Sequence, residues 1–298
     1  MNMRKFLLCL FLSLGLCSAY AENLDIMASY VYSSDFNQAR LGVALPISYY
    51  GSVGLEGKYV EDKFSREDGA LKDPVYSLYL PIQLNLETAH IALIPFYYIP
   101  NKPQEPQFQN AFAYGVRAQL AMDLVDDEIN DIHTRAYLSA AYARQKAGIQ
   151  ADNQWSNSYY DQAVFNLGFL QNFYSSFMFQ ADATVFQYPD GISQVQNFRT
   201  ILDQKDLAFI QSFDVNRSLG KYAFSARITR LWATNRSSLY LGYHYAEFYT
   251  ADPQHSVLIG NSFYILRNVS VDMAFNHLQT TSNRNKRDLF FVNFNIAF

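Results

Sequence analysis

From Leu24 onward the chain keeps returning to a strict alternation of apolar and polar positions. The clearest case is residues 108–124. Phe112, Tyr114, Val116, Ala118, Leu120, Met122 and Leu124 share one parity, and Gln109, Ala111, Ala113, Gly115, Arg117, Gln119 and Asp123 share the other. Side chains along a strand alternate faces, whereas a helix would carry this pattern out of phase within two turns. The segment is therefore predicted to be a strand with one greasy face. Residues 75–86 repeat the design, with Tyr76, Leu78, Leu80, Ile82, Leu84 and Leu86 set against Ser77, Gln83 and Asn85. The same reading covers Phe165, Leu167 and Phe169, then Phe177, Phe179, Ala181, Ala183 and Val185, and later Val269, Val271, Met273 and Phe275. The last stretch places Phe290, Val292, Phe294, Ile296 and Phe298 opposite Asn293, Asn295 and Ala297. Such strands run to about 10 residues or more, where strands of soluble proteins average roughly 5–6.

The connections alternate in size. Tight links are expected at Tyr49-Tyr50-Gly51, Glu87-Thr88 and 172–175, and longer polar ones at 65–73, 100–107, 147–157 and 188–205. Pro100, Pro103, Pro106 and the Pro189-Asp190-Gly191 turn fall in the longer group, where a residue without an N–H does least harm.

The first residues follow another pattern. Arg4 and Lys5 precede an apolar run over 6–17, and Ala19-Tyr20-Ala21 reads as a small-x-small cleavage site, which together predict a secretory signal. That run is too short for the roughly 20 residues of a spanning helix. Cleavage after Ala21 divides the chain into a signal, 1–21, and one domain, 22–298. Cys17 would suit a lipoprotein signal, but bulky Leu16 stands where a small residue is wanted. Both cysteines, Cys9 and Cys17, lie inside the signal, so the mature chain would have neither disulfides nor thiolate metal sites. It keeps 21 of the 23 basic residues against 27 acidic ones, a net charge of −6, which argues against nucleic acid as a partner. The 23 Tyr and 24 Phe beside only 2 Trp have a place in a membrane barrel, in its outward band and its interfacial girdles.

These features together resemble the outer-membrane β-barrels of Gram-negative-type bacteria: a signal, long amphipathic strands, alternating loop lengths, and a final strand closing on Phe298. The resemblance is one of architecture, and no motif narrows it to a family. It implies an all-β fold, a closed antiparallel transmembrane β-barrel with short periplasmic turns and longer extracellular loops. About fifteen candidate strands can be drawn, whereas single-chain barrels hold an even number. Fourteen fits the length best, with 12 and 16 open, and the surplus is expected between Asp190 and Asp214 or near Asn235. Outer-membrane lipid would surround the wall, and the barrel assembly machinery would read the strand that ends at Phe298.

If the apolar parity meets lipid, the other lines the lumen. Glu56, Lys58, Arg117, Asp123, His133, Arg135, Asp182, Arg227, His244 and Asp272 are the candidate lining residues. Mixed charge facing a lumen suits an ion-selective pore, although narrow barrels use the same residues to fill the interior. The leading expectation is a porin-like channel for passive diffusion of ions or small polar solutes, without cofactor or metal. The alternative is a non-conducting structural or adhesive barrel whose loops bind a partner. Catalysis is not expected. Asp131-Ile132-His133 lacks a companion acidic pair, and the stretch from His277 to Ser282 lacks lipase spacing, while a nucleophile, a base and an orienting group must converge.

Overall fold

The computed structural model describes residues 24–34, 36–66, 69–100, 108–127, 132–151, 154–173, 176–191, 219–232, 237–249, 252–281 and 286–297. All its regular structure is strand. In order these are β1 (Asp25–Tyr32), β2 (Phe36–Ser48), β3 (Gly51–Arg66), β4 (Gly69–Tyr79), β5 (Ile82–Asn85), β6 (Ala89–Pro100), β7 (Phe108–Asp127), β8 (Ile132–Ala151), β9 (Gln154–Phe173), β10 (Phe177–Gln187), β11 (Gly220–Leu231), β12 (Ser237–Phe248), β13 (Gln254–Leu266), β14 (Val269–Thr280) and β15 (Lys286–Ala297). Apart from β4 and β5, which do not pair with each other, each pairs antiparallel with its sequence neighbours, β1 pairs with β15, and the sheet closes on itself. Closure gives every described strand a partner on both sides, as a spanning sheet requires in a medium without water.

The wall has fourteen crossings because β4 and β5 are two parts of one. Both pair with β3 on one side and β6 on the other. The break falls at Leu80-Pro81, where proline has no N–H for the ladder. Its carbonyl accepts from Gly54 N at 2.7 Å, and a Cβ at position 54 would come within 2.8 Å of the proline ring, so a glycine opposite lets the wall pass the interruption. The parity runs unbroken through it. Tyr76, Leu78, Leu80, Ile82, Leu84 and Leu86 are all exposed on one face, as the sequence predicts. Between Asp190 and Asp214 the wall has no place for another strand, since β10 pairs directly with β11. Residues 192–218 and the Asn235 turn lie outside the described residues.

Two of the expected long loops are instead continuations of hairpins. Residues 65–73 belong mostly to β3 and β4, paired up to Arg66 opposite Gly69. Residues 147–157 belong mostly to β8 and β9, paired up to Ala151 opposite Gln154. Backbone pairing continues beyond the apolar belt, where side chains on both faces can be polar, and sequence alternation is lost there although the ladder is not.

Residues directly opposite one another across a ladder share a face, so the register sorts every side chain. One parity forms the outer surface. Leu78, Leu93, Val116, Leu138, Leu167 and Ile259 are exposed at its middle. Toward the end away from the termini, here the loop end, stand Tyr32, Tyr76, Tyr97, Tyr114, Tyr159 and Tyr222; toward the terminal end stand Tyr49, Tyr50, Phe173, Phe177 and Trp232. Tyr59 and Tyr76 lie 5.3 Å apart by ring centroid, and Tyr97 and Phe112 5.9 Å. An aliphatic band between two aromatic belts is the surface of a membrane-spanning barrel.

Candidate functional site

The other parity faces the interior. The register places Glu56, Lys58, Arg117, Asp123, Arg135, Asp182, Arg227, His244 and Asp272 on it. They do not form one ring. Glu56 and Arg117 border a cavity of about 730 Å³ at the terminal end, together with Asp25, Arg40, Gln83, Gln119, Arg267, Ser270 and Asn295. Within it the Arg40 guanidinium grips Glu56 with two hydrogen bonds, Nη2 donating to Oε2 at 2.6 Å and Nε to Oε1. The pair is largely buried, with side-chain exposures of 17% and 8%. Lys58 is buried directly opposite Arg40.

At the same end Arg135 binds Asp123 by two bonds, 2.6 and 2.9 Å, in a far more open setting. Nearby, His133 Nδ1 lies 2.5 Å from Asp126 Oδ1. A register shift between Asp123 and Val125 interrupts the ladder, which resumes up to Asp127 opposite Ile132.

The remaining candidates sit on the inner wall of β10–β14. Asp182 accepts from Asn166 Nδ2 at 2.9 Å and from the Ser225 hydroxyl. Arg227 Nη2 donates to Gln180 Oε1 at 2.7 Å, with its guanidinium 5.3 Å from the centre of the Tyr240 ring. The Tyr240 hydroxyl donates to Asp272 at 2.6 Å. Tyr240 and Asp272 are two strands apart, so the ring must cross β13 to reach. It does so over Gly260, where a Cβ would fall 2.2 Å from the ring. His244 is buried, and neither ring nitrogen has a hydrogen-bond partner among the described residues.

Toward the loop end the interior parity is apolar, contrary to a uniformly polar lumen. Val31, Phe36, Leu258, Leu278, Leu289 and Phe291 form one buried cluster, and Phe96, Tyr98, Tyr160, Phe186 and Phe248 belong to a second. Just past β10, the Tyr188 hydroxyl donates to Gly220 O at 3.0 Å, and burial raises its pKa. The turn that follows has Gly191 N bonded to Tyr188 O at 3.0 Å, with Gly191 at φ 82°, a conformation that favours glycine.

Sequence reasoning passes over Arg40 and Arg267. Arg40 follows the parity of Gln38 in β2, but Gly42 and Pro46 blur the alternation. Arg267 lies in a two-residue turn whose place at the cavity only the closed sheet reveals. Of the other histidines, His255 Nδ1 bonds the Tyr243 hydroxyl at 2.6 Å and His277 Nδ1 lies 2.7 Å from Asp288. His90 bonds Asn85. Asp131, Ser282 and Phe298 lie outside the described residues. Among the described residues, no group of three or more His, Cys, Asp or Glu side chains could hold a metal.

No known family and no curated protein matches the chain. Solved structures are similar at low identity. CdiB from Acinetobacter baumannii superposes with a TM-score of 0.50 at 9% identity, over 93% of this chain and 60% of that one. The Pseudomonas putida toluene transporter TodX gives 0.48 at 12%, over 95% and 90%. A KdgM porin gives 0.39 at 8%, over 92% and 99%. At these identities the likeness is one of fold, and the chain is a closed, fourteen-stranded antiparallel β-barrel of the membrane-spanning kind.

Proposed function

We propose that the chain is a porin-like outer-membrane channel through which ions or small solutes diffuse passively. The observation that carries the reading is the charged cavity of about 730 Å³ inside a closed wall, bordered by Arg40, Glu56, Arg117 and Gln119. A channel of this kind performs no chemistry; its selectivity comes from width and from the charges along the path. The terminal end would face the periplasm and the loop end the outside, following the usual bias of short periplasmic turns. Residues 1–21 would be removed on export. The assembly machinery would recognise β15 and Phe298, and β15 would then complete the wall against β1.

Glu56 and Arg117 would act on passing solutes directly, with Lys58 buried behind them, and Asp123 with Arg135 at the periplasmic mouth. Asp182, Arg227, His244 and Asp272 would shape the far wall. The test is current through the refolded mature protein in a planar bilayer, with folding checked by heat-modifiable gel mobility. Discrete, reproducible steps are expected, and a folded, inserted but silent protein would overturn the reading.

A second reading rests on the apolar clusters that pack the interior toward the loop end. If they close the lumen, the barrel is a scaffold whose outer loops bind a partner. Deleting 192–205 would then abolish partner binding, while the wild type would show no current to lose.

A further inference from the structure

We propose that the terminal-end tips of the β2–β3 and β13–β14 hairpins are seated in membrane lipid, as a foot on each side of the seam where β1 meets β15. The inference goes beyond the channel reading and does not depend on it. Its first basis is charge. No charged residue stands between Arg40 and Glu56, and none stands from Ser256 to Leu266. The opposite end of the wall reads differently: residues 61–73, around the tip of β3–β4, hold five acidic and three basic residues. The second basis is exposure. Ile47 is 71% exposed, Tyr49 92%, Ile265 58% and Leu266 62%. Large apolar side chains bared together mark a surface that something covers.

Lipid is the cover with which these tips are continuous. The outward parity of β2 runs Leu41, Val43, Leu45, Ile47 and Tyr49 without a polar residue. The face that meets hydrocarbon along the wall therefore extends unbroken into the tip. On β13 only Asn261 interrupts the same run through Val257, Ile259, Phe263 and Ile265. The strand order sets β1 and β15 between the two hairpins, so both feet flank the closing seam. Backbone groups in lipid must find partners within the protein, and several at the tips are engaged accordingly. Ser48 pairs with Gly51 across a two-residue turn, and Tyr50 N donates to Ser48 Oγ at 3.3 Å. Tyr50 O accepts from Asn85 N at 2.6 Å, and Asn268 O from Ala297 N at 3.0 Å. Arg267 follows Leu266 directly and suits the depth, because an arginine stem lies along apolar surroundings while its head stays in the polar layer.

Because Cys9 and Cys17 both lie within 1–21, the mature chain accepts a single reporter thiol. The experiment labels Ile47→Cys, Ile265→Cys and, as a reference in the exposed loop-end turn after β12, Asp252→Cys with an environment-sensitive fluorophore. Each is refolded into dioleoylphosphatidylcholine vesicles, with heat-modifiable gel mobility confirming the fold. The probes at 47 and 265 are expected to emit at shorter wavelength than the probe at 252. Phospholipid brominated along its acyl chains should quench them severalfold more than it quenches the reference, and aqueous iodide severalfold less. Iodide quenching at either tip equal to that at 252 would overturn the proposal. Shielding that is lost when the protein is diluted in lipid would overturn it too, and would assign the patch to a second copy of the chain. The readout needs no current. A silent barrel with lipid-shielded tips would sink the channel reading and leave the lipid contact standing. A conducting barrel with iodide-accessible tips would do the reverse.

Discussion

The two halves of the inner wall use charge in opposite ways. Across β1–β3 and β5–β7 charged groups border open space, Arg40 and Glu56 joined there by two hydrogen bonds. Across β10–β14 Asp182 and Asp272 are engaged from other strands, Asp182 by Asn166 and Ser225 and Asp272 by Tyr240 across β13. The first arrangement lines a cavity. The second stitches strands together where an unpaired buried charge would be costly. Charges that look alike in sequence thus divide by whether they border the cavity or are buried in the wall.

Several substitutions would break or sharpen that contrast. The largest effect is expected for Phe291→Ala in the apolar cluster, a loss of about 3–5 kcal/mol for a buried aromatic, read from denaturant unfolding in lipid vesicles. If the cluster also narrows the path, conductance rises in the same variant. Tyr240→Phe removes the hydroxyl from Asp272, and the carboxylate left behind is expected to cost about 1–3 kcal/mol with little change in ion preference. Gly260→Ala should reproduce much of that loss, about 1–3 kcal/mol, because the ring that crosses Gly260 is displaced. If Gly260→Ala is neutral while Tyr240→Phe is not, the crossing ring is not what positions the hydroxyl. Arg135→Ala breaks an open pair at the mouth and should cost under about 1 kcal/mol, less still at high salt. A loss comparable with that from Tyr240→Phe would contradict the division between the halves.

Much of the wall is legible in the sequence for one physical reason: a surface facing lipid must be apolar, and a strand's period of two prints that requirement directly onto the residue order. This is why the parity of 75–86 survives Pro81, and why an interruption that splits β4 from β5 does not add a crossing. The strand ends are not legible, because beyond the belt neither face must be apolar, and β8 and β9 run on through residues that read as loop. The grouping of the interior charges is hidden for a different reason. Parity tells that Asp272 points inward, but only the register shows that Tyr240 reaches it across Gly260, and a slip of one residue would turn the whole set to the other face. The apolar interior toward the loop end is likewise invisible to alternation, since Leu289 and Phe291 extend the apolar character of the outward parity and blur the very contrast that reveals the strand.

The most direct test compares current through two single-cysteine barrels before and after a bulky thiol reagent. Gln119→Cys reports on the cavity half, and Ser256→Cys reports on the buried wall of β13. The account expects the current step to shrink on modification at 119 and to stay unchanged for the variant at 256. Equal block at both positions, or none at 119, would contradict a solute path along the cavity half of the wall.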